Sequence, residues 1–363
     1  MHYTVGEIAA AIGAEVAGDP SVVISALAEP AAAGPGDLAM ASTLKYAEAL
    51  AQGSAEAAML WADANWQALG LKAAILPQRP RYAMSHLTGM MDPGQGFGAG
   101  IHPGAIVDPT AQIGVGVSIG PGSVIAPEAH IGAGSVIGPM CFVGWKAMIG
   151  PEAFLREQVS IGARAEIGAR FVAQPGVRIG GDGFSFVTPE KSGVEAARET
   201  LGEQGTDDGQ SWSRIASLGG VVIGDDVEVG ANSTIDNGTI RATRIGDRTK
   251  IDNLVQIGHN VTLGHDVLVC AQAGVAGSAT VGNFVVLGGQ VGIADNLTIG
   301  DRVVVGAASV ILSSVSAGKV MLGYPATEMQ AQIASYKALR RLPRYLADIA
   351  ALKKSVFKPG SSD

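Results

Sequence analysis

Aliphatic residues recur at every sixth position through most of this chain, and that period decides what it can fold into. The run starts at Ile101, Val107, Ile113 and Ile119 and continues through Ile161 and Ile167 to Ala173 and Ile179. It resumes at Ile223, Val229 and Ile235, then goes on from Ile245 through Ile257, Val275 and Ile293 to Ile311. A period of six fits neither the 3.6 residues of a helical turn nor the two of a lone strand. It describes a face that turns and repeats, three faces making a coil of eighteen residues, which is a hexapeptide-repeat β-helix. Each aliphatic points into a narrow prism and stacks on the residue eighteen positions away, about 4.8 Å along the axis. Glycine very often follows the aliphatic and is expected to form tight corners without a Cβ penalty, which accounts for 51 glycines in 363 residues. Rings fit such a prism poorly, hence an aromatic fraction of only 5%.

The repeat leaves a head and a tail, so the chain divides into residues 1–98, 99–322 and 323–363. A net charge of −8 argues against a general nucleic-acid binder. Cys141 and Cys270 are too few for a disulfide framework or a cysteine-built metal site. The first residues lack the layout of a signal peptide, and no apolar run is long enough to span a bilayer. The expectation is a cytoplasmic protein with at most peripheral membrane contact.

In the head, Thr4 to Glu7 has capping-box spacing, and a first helix should run to Gly13. Apolar segments at 22–24, 57–61 and 72–77 alternate with helix-like stretches near 45–51 and 80–91, which predicts a small α/β unit. The glycine-rich stretch 93–100 reads as a hinge. The tail has another character. Between Ala326 and Lys358 seven basic residues face two acidic ones, a local balance of +5. Leu339, Leu342, Leu346, Ile349 and Leu352 recur at helical spacing, with Pro343 expected to kink or break the helix. Such a helix serves either oligomer packing or the docking of an acidic partner.

Two interruptions break the six-residue register. A polar segment from Val187 to Arg214 cannot line the prism and should be an external excursion. The step from Ile235 to Ile245 carries four extra residues at one corner. Each is either a site for binding groups or a tolerated surface insertion. Just beyond the second lies Asp252-Asn253-Leu254-Val255-Gln256-Ile257-Gly258-His259-Asn260, where polar side chains crowd and His259 offers an imidazole able to take a proton near neutral pH. Eighteen residues on, one coil above, lies Gly277. It is either another tight corner or a bare N–H for a developing oxyanion.

These residues resemble a known family. Ser233 to Gly238, Ile251 to Val261, Gly274-Val275-Ala276-Gly277-Ser278, Gly288 to Ala294 and Gly181-Asp182-Gly183-Phe184 are similar to segments of the UDP-3-O-acylglucosamine N-acyltransferases of lipid A synthesis. Gly36-Asp37-Leu38 and Lys45-Tyr46 resemble that family's uridine-binding head. The resemblance implies a mainly β protein, a left-handed parallel β-helix with a small N-terminal α/β domain and a C-terminal helical tail. It also implies a homotrimer with active sites between neighbouring prisms. The implied reaction moves a 3-hydroxyacyl group from an acyl carrier protein to the 2-amino group of a UDP-3-O-acylglucosamine. His259 would be the base and the Gly277 N–H the oxyanion donor. Met40, Tyr46, Asp236, Asp252, Asn253, Gln256 and Asn296 would bind substrate, while Arg340, Arg341 and Arg344 would dock the acidic carrier. No cofactor or metal is implied, because the acyl-phosphopantetheine comes on the donor protein.

The chain departs from the family at three places. Met40 stands where an aromatic residue is common, Thr43-Leu44 replaces a frequent Asn-Pro, and Asn296 occupies the place of a second histidine. Asn donates a hydrogen bond but exchanges no proton at neutral pH. Rival readings are a coenzyme A-dependent acyltransferase, which needs no uridine head, and a purely structural β-helix. A zinc enzyme would need three convergent histidines, whereas only His259 and His265 lie close in sequence.

Overall fold

The computed structural model describes residues 2–200, 202, 211–323 and 326–356. The chain forms two compact units, Met1–Phe97 and Gly98–Asp363. In the first, helix α1 (Val5–Ile12) starts where the sequence predicts. The Thr4 hydroxyl accepts the Glu7 N–H at 3.2 Å, and the Glu7 carboxylate accepts the Thr4 N–H at 2.7 Å. The helix ends at Gly13, whose φ of 63° is the left-handed cap that glycine permits. A five-stranded sheet follows in the order Glu15–Gly18, Ala73–Leu76, Ala57–Met59, Asp37–Met40, Ala26–Ala28, with only its first pair antiparallel. Helices α2 (Leu44–Ala47) and α3 (Pro80–Met91) complete the unit. Apolar side chains pack on both faces of the sheet, Ile8, Met59 and Leu87 on one and Ala58, Leu60 and Ala74 on the other. Strands buried on both faces read as unbroken apolar runs.

The second unit is the predicted coil. Three parallel sheets, two of ten strands and one of nine, run its length. Ile257 pairs with Val275 and Val275 with Ile293, the eighteen-residue register. Across the insertions the register stretches, with Ile235 on Ile257 and Ile167 on Ile223. The inward aliphatics are almost wholly buried in one continuous core, each burial being worth roughly 2 kcal/mol.

The glycine expectation needs correction. The left-handed corner, three residues after the aliphatic, is held mostly by other residues, among them Glu128, Lys146, Arg164, Arg248 and Asn260, with φ between 56° and 62°. Glycine after the aliphatic serves close approach instead. A Cβ on Gly246 would lie 2.5 Å from the Gly264 carbonyl carbon in the next coil.

The polar excursion is rooted in an antiparallel ribbon, Phe186–Val187 on Ser213–Arg214, and carries helix α4 (Gly193–Thr200). Residues 201 and 203–210 of that predicted loop lie outside the described residues. The tail is helix α5 (Met329–Val356), which runs through Pro343 unbroken, contrary to one of the two expected outcomes. Proline removes one N–H there, yet the hydrogen bonds on either side suffice to keep a 28-residue helix continuous. Among the described residues no helix is long and apolar enough to cross a membrane.

Candidate active site

One edge of the prism collects both interruptions and the candidate base. Ile179, Ile235, Ile257, Val275 and Ile293 stack in one sheet. The polar excursion leaves after Ile179, the four-residue insertion after Ile235, and His259, Gly277 and Asn296 follow at the same corner in successive coils. What the sequence presents as separate breaks therefore converges in space.

His259 is half-buried on this outer edge, clear of the aliphatic prism. Two glycines hold its ring. A methyl group on Gly277 would sit 2.7 Å from both Nε2 and Cε1, and one on Gly183 would sit 2.6 Å from the His259 Cβ. Among the described residues the Gly277 N–H has no hydrogen-bond partner. Base and bare amide thus lie side by side on an outer surface, as the stacking register requires. Gly183 comes from the root of the excursion, where its N–H donates to the Ser217 hydroxyl at 2.9 Å. The sequence assigns neither of these two residues a role. The His259 Nδ1 lies 2.9 Å from the Oδ1 of buried Asn260.

Asp236 and Gln256 belong to the same site. Gln256 Nε2 donates to Asp236 Oδ2 at 2.9 Å, and the Thr234 hydroxyl donates to Gln256 Oε1. Burial pushes the Asp236 carboxyl up to about 6, against the opposing pull of the Gln256 hydrogen bond and the nearby His259. Since the folded value exceeds the ordinary 3.8, Asp236 contributes stability that is complete below 3.8 and lost as pH rises through about 6. Asp236→Asn is therefore expected to unfold at higher urea than the parent at about pH 8, and the gain should vanish near about pH 4. An equal difference at both pH values would contradict this account of the carboxyl.

Asp252 and Asn253 stand on the preceding edge, and their side chains are engaged by the main chain. The Asp252 carboxylate accepts the N–H groups of Asn253 and Ala271 at 2.7 and 3.1 Å, and Asn253 Oδ1 accepts that of Ala231 at 2.6 Å. The chain does not itself bring them to His259. Asn296 is exposed, two coils above, with a φ of 59° that asparagine tolerates well. Its side-chain amide donates to Asp295 at 3.2 Å. Above Gln256 the outward strand positions are Gly274 and Gly292, where an added Cβ would meet nothing within 4 Å. With Ala276, Ala294 and Val310 they line a shallow apolar groove beside the site. His265 turns away to another edge, its Nδ1 2.7 Å from Asp266 Oδ2.

In the first unit Met40 and Tyr46 line one cleft of about 750 Å³, together with Thr43, Arg81 and Met84. Tyr46 is half exposed. Arg81 brings a cation that motif reading passes over. On α5, Arg340, Arg341 and Arg344 are exposed, as are Leu342, Leu346 and Ile349.

The chain is similar to known proteins along its whole length. The family described as bacterial transferase hexapeptide (six repeats) matches residues 242–277. A UDP-3-O-acylglucosamine N-acyltransferase of Ruegeria pomeroyi is 66% identical over 363 residues, the whole of both chains. One of Paracoccus denitrificans is 60% identical over 358 residues, covering 99% of this chain and 98% of the relative. A solved UDP-N-acetylglucosamine acyltransferase from Arabidopsis is a distant likeness, at 19% identity and a TM-score of 0.49, over 72% of this chain and 85% of that one. The coil is a left-handed parallel β-helix, mainly β in class, with the small N-terminal unit and helical tail expected of it. With relatives so similar over their full length, the chain belongs to the UDP-3-O-acylglucosamine N-acyltransferase family.

Proposed function

We propose that this chain transfers a 3-hydroxyacyl group from an acyl carrier protein thioester to the 2-amino group of a UDP-3-O-acylglucosamine, working in the cytoplasm as a homotrimer. The observation that carries the reading is the contact of His259 with Gly277 on an outer edge, next to an apolar groove and a half-buried carboxylate. The amine nitrogen attacks the thioester carbon, and the new N–C bond forms as charge collects on oxygen. The Gly277 N–H receives that charge. His259 takes the proton released by nitrogen and returns it to the departing thiolate as the C–S bond breaks. Asp236 stabilises the imidazolium between these steps. The acyl group arrives already activated, so the chemistry needs no cofactor of the protein's own. The full-length relatives supply the substrate class by their names.

Within this reading Tyr46 and Met40 stack on uracil, a ring and a thioether both suiting an aromatic face. Tyr46→Ala is expected to weaken sugar-nucleotide binding by about 1 kcal/mol with little change in kcat. Calorimetric titration with the nucleotide measures it, and unchanged affinity rejects the stacking role. Asp252 and Asn253, on another edge, would join the substrate only across a protomer boundary, whereas Asn296 would reach it from the coil above Gly277. The basic face of α5 suits an acidic carrier protein.

A single assay tests donor and docking together. Offered a long-chain acyl carrier protein thioester and acetyl-coenzyme A, the chain should acylate only from the carrier, as mass spectrometry of the product would record. Reversal of Arg340, Arg341 and Arg344 to Glu should raise the carrier KM by roughly tenfold or more at low salt and flatten its salt dependence. Transfer from acetyl-coenzyme A would favour the coenzyme A reading, and an unaffected carrier KM would return α5 to oligomer packing.

A further inference from the structure

The four extra residues after Ile235 do not simply decorate the corner, because their main chain grips one side chain. Asn260, 8% exposed, accepts the Thr239 N–H on Oδ1 at 3.1 Å and donates from Nδ2 to the Arg241 carbonyl at 2.9 Å. Its own N–H donates to the Thr243 hydroxyl at 2.9 Å. The loop is held tightly in turn. Gly238 N–H donates to the Gly220 carbonyl, Gly219 N–H to that of Gly238 and Leu218 N–H to that of Thr239, at 2.8 to 2.9 Å. These three partners lie on the return limb of the longer excursion, so both interruptions brace the same amide. Space is also limiting, since a Cβ on Gly219 would come within 2.5 Å of the Arg241 carbonyl oxygen.

A main-chain N–H can only donate and a main-chain carbonyl can only accept. The Asn260 amide can therefore sit only one way round, oxygen toward Thr239 and nitrogen toward Arg241. The His259 Nδ1, 2.9 Å from that oxygen, must carry a hydrogen, because a bare ring nitrogen facing a carbonyl oxygen is repelled. A neutral imidazole has one N–H, so Nε2 is left with a lone pair, on the side of the ring that faces Gly277. Turned over, the ring would set a carbon where Nδ1 now meets the Asn260 oxygen and lose that hydrogen bond.

We infer that Asn260 is the positioning residue for the reaction, clamped by the insertion so that His259 is held as its Nδ1–H tautomer with Nε2 ready to accept a proton. Being neutral, the amide orients the ring without adding a countercharge, which falls to Asp236. The inference deepens the proposed function and rests on it for the use made of Nε2, whereas the tautomer can be read without any substrate.

The test uses the full chain labelled with nitrogen-15 histidine, in the parent, Asn260→Ala and Asn260→Asp. Two-bond nitrogen–proton correlations, recorded at a pH where the ring is neutral, distinguish the tautomers. The parent should show His259 as Nδ1–H. Asn260→Ala should move toward Nε2–H, with kcat falling roughly 10- to 100-fold and KM changing little. Asn260→Asp, whose carboxylate also accepts from Nδ1, should keep the Nδ1–H form, recover part of the turnover and shift the acid limb of kcat to higher pH. Asp also serves if Ala does not fold. An Nε2–H ring in the parent, an unchanged ring in Asn260→Ala or an Nε2–H ring in Asn260→Asp overturns the inference. If the tautomers shift as expected while turnover in Asn260→Ala stays normal, the positioning of the ring stands and its part in the proposed function falls.

Discussion

His259→Ala is expected to fold as the parent does and to transfer acyl groups roughly 100-fold more slowly or worse. The expectation of intact folding comes from where the ring sits. Ile257 and Val261 on either side fill the prism and are fully buried, while His259 is half exposed on its edge and contributes nothing to the aliphatic stack. A substitution there should cost no more than about 1 kcal/mol, the usual range for sites outside the core. The loss of rate has a separate cause. An amine attacking a thioester must shed a proton, and the neighbouring carboxylate of Asp236 is already engaged by Gln256. Thermal melts beside a carrier-protein assay separate the two effects. Turnover near that of the parent in a folded variant would remove the mechanism.

Gly277→Ala should be nearly as damaging, for a reason that is geometric alone. The backbone at Gly277 is not left-handed, so alanine is conformationally acceptable and, by restricting the unfolded chain, even slightly favourable to stability. The added methyl would nevertheless lie 2.7 Å from the His259 Nε2 and Cε1, inside any allowed contact. The ring is the movable partner, and it has to swing off the position that faces the thioester. A displacement of about 1 Å at a reacting atom costs on the order of 100-fold in rate. The expected signature is a lower kcat with sugar-nucleotide affinity and melting temperature unchanged. A normal kcat would mean that Nε2 need not face this amide, and the paired roles of His259 and Gly277 would both be lost.

The coil was legible because its period is physical, one inward aliphatic for each face. The convergence of the two interruptions was also written in the register, for Ile179, Ile235 and Ile257 fall in one stack once the extra residues are counted out. The purpose of the insertion was not. The hydrogen bonds that Asn260 accepts from the Thr239 N–H and donates to the Arg241 carbonyl have no side-chain signature, so Asn260 reads as one more polar residue in a polar stretch. Gly277 reads as a tight corner or a bare N–H and Gly183 only as part of a resembling segment, and neither reading tells that the His259 ring lies against both. Gly274 and Gly292 look like repeat positions, yet nothing in this chain crowds them. The resemblance assigns substrate contacts to Asp252 and Asn253, whose side chains within this chain cap the corners of neighbouring coils. Caps of this kind use the same residue types as binding sites. In the head, Glu15–Gly18 and Ala26–Ala28 escaped notice since alanine, glycine and glutamate have weak strand preference.

The most direct measurement is chemical rescue. Removing the His259 ring leaves a space between Gly183 and Gly277 open to solvent, and free imidazole added to purified His259→Ala can enter it. The account predicts that imidazole restores transfer from the carrier thioester to the sugar-nucleotide amine by roughly tenfold or more, saturably and in proportion to its unprotonated form. If imidazole has no effect on the folded variant, or restores it equally well in its protonated form, a base at this corner is not what drives the reaction.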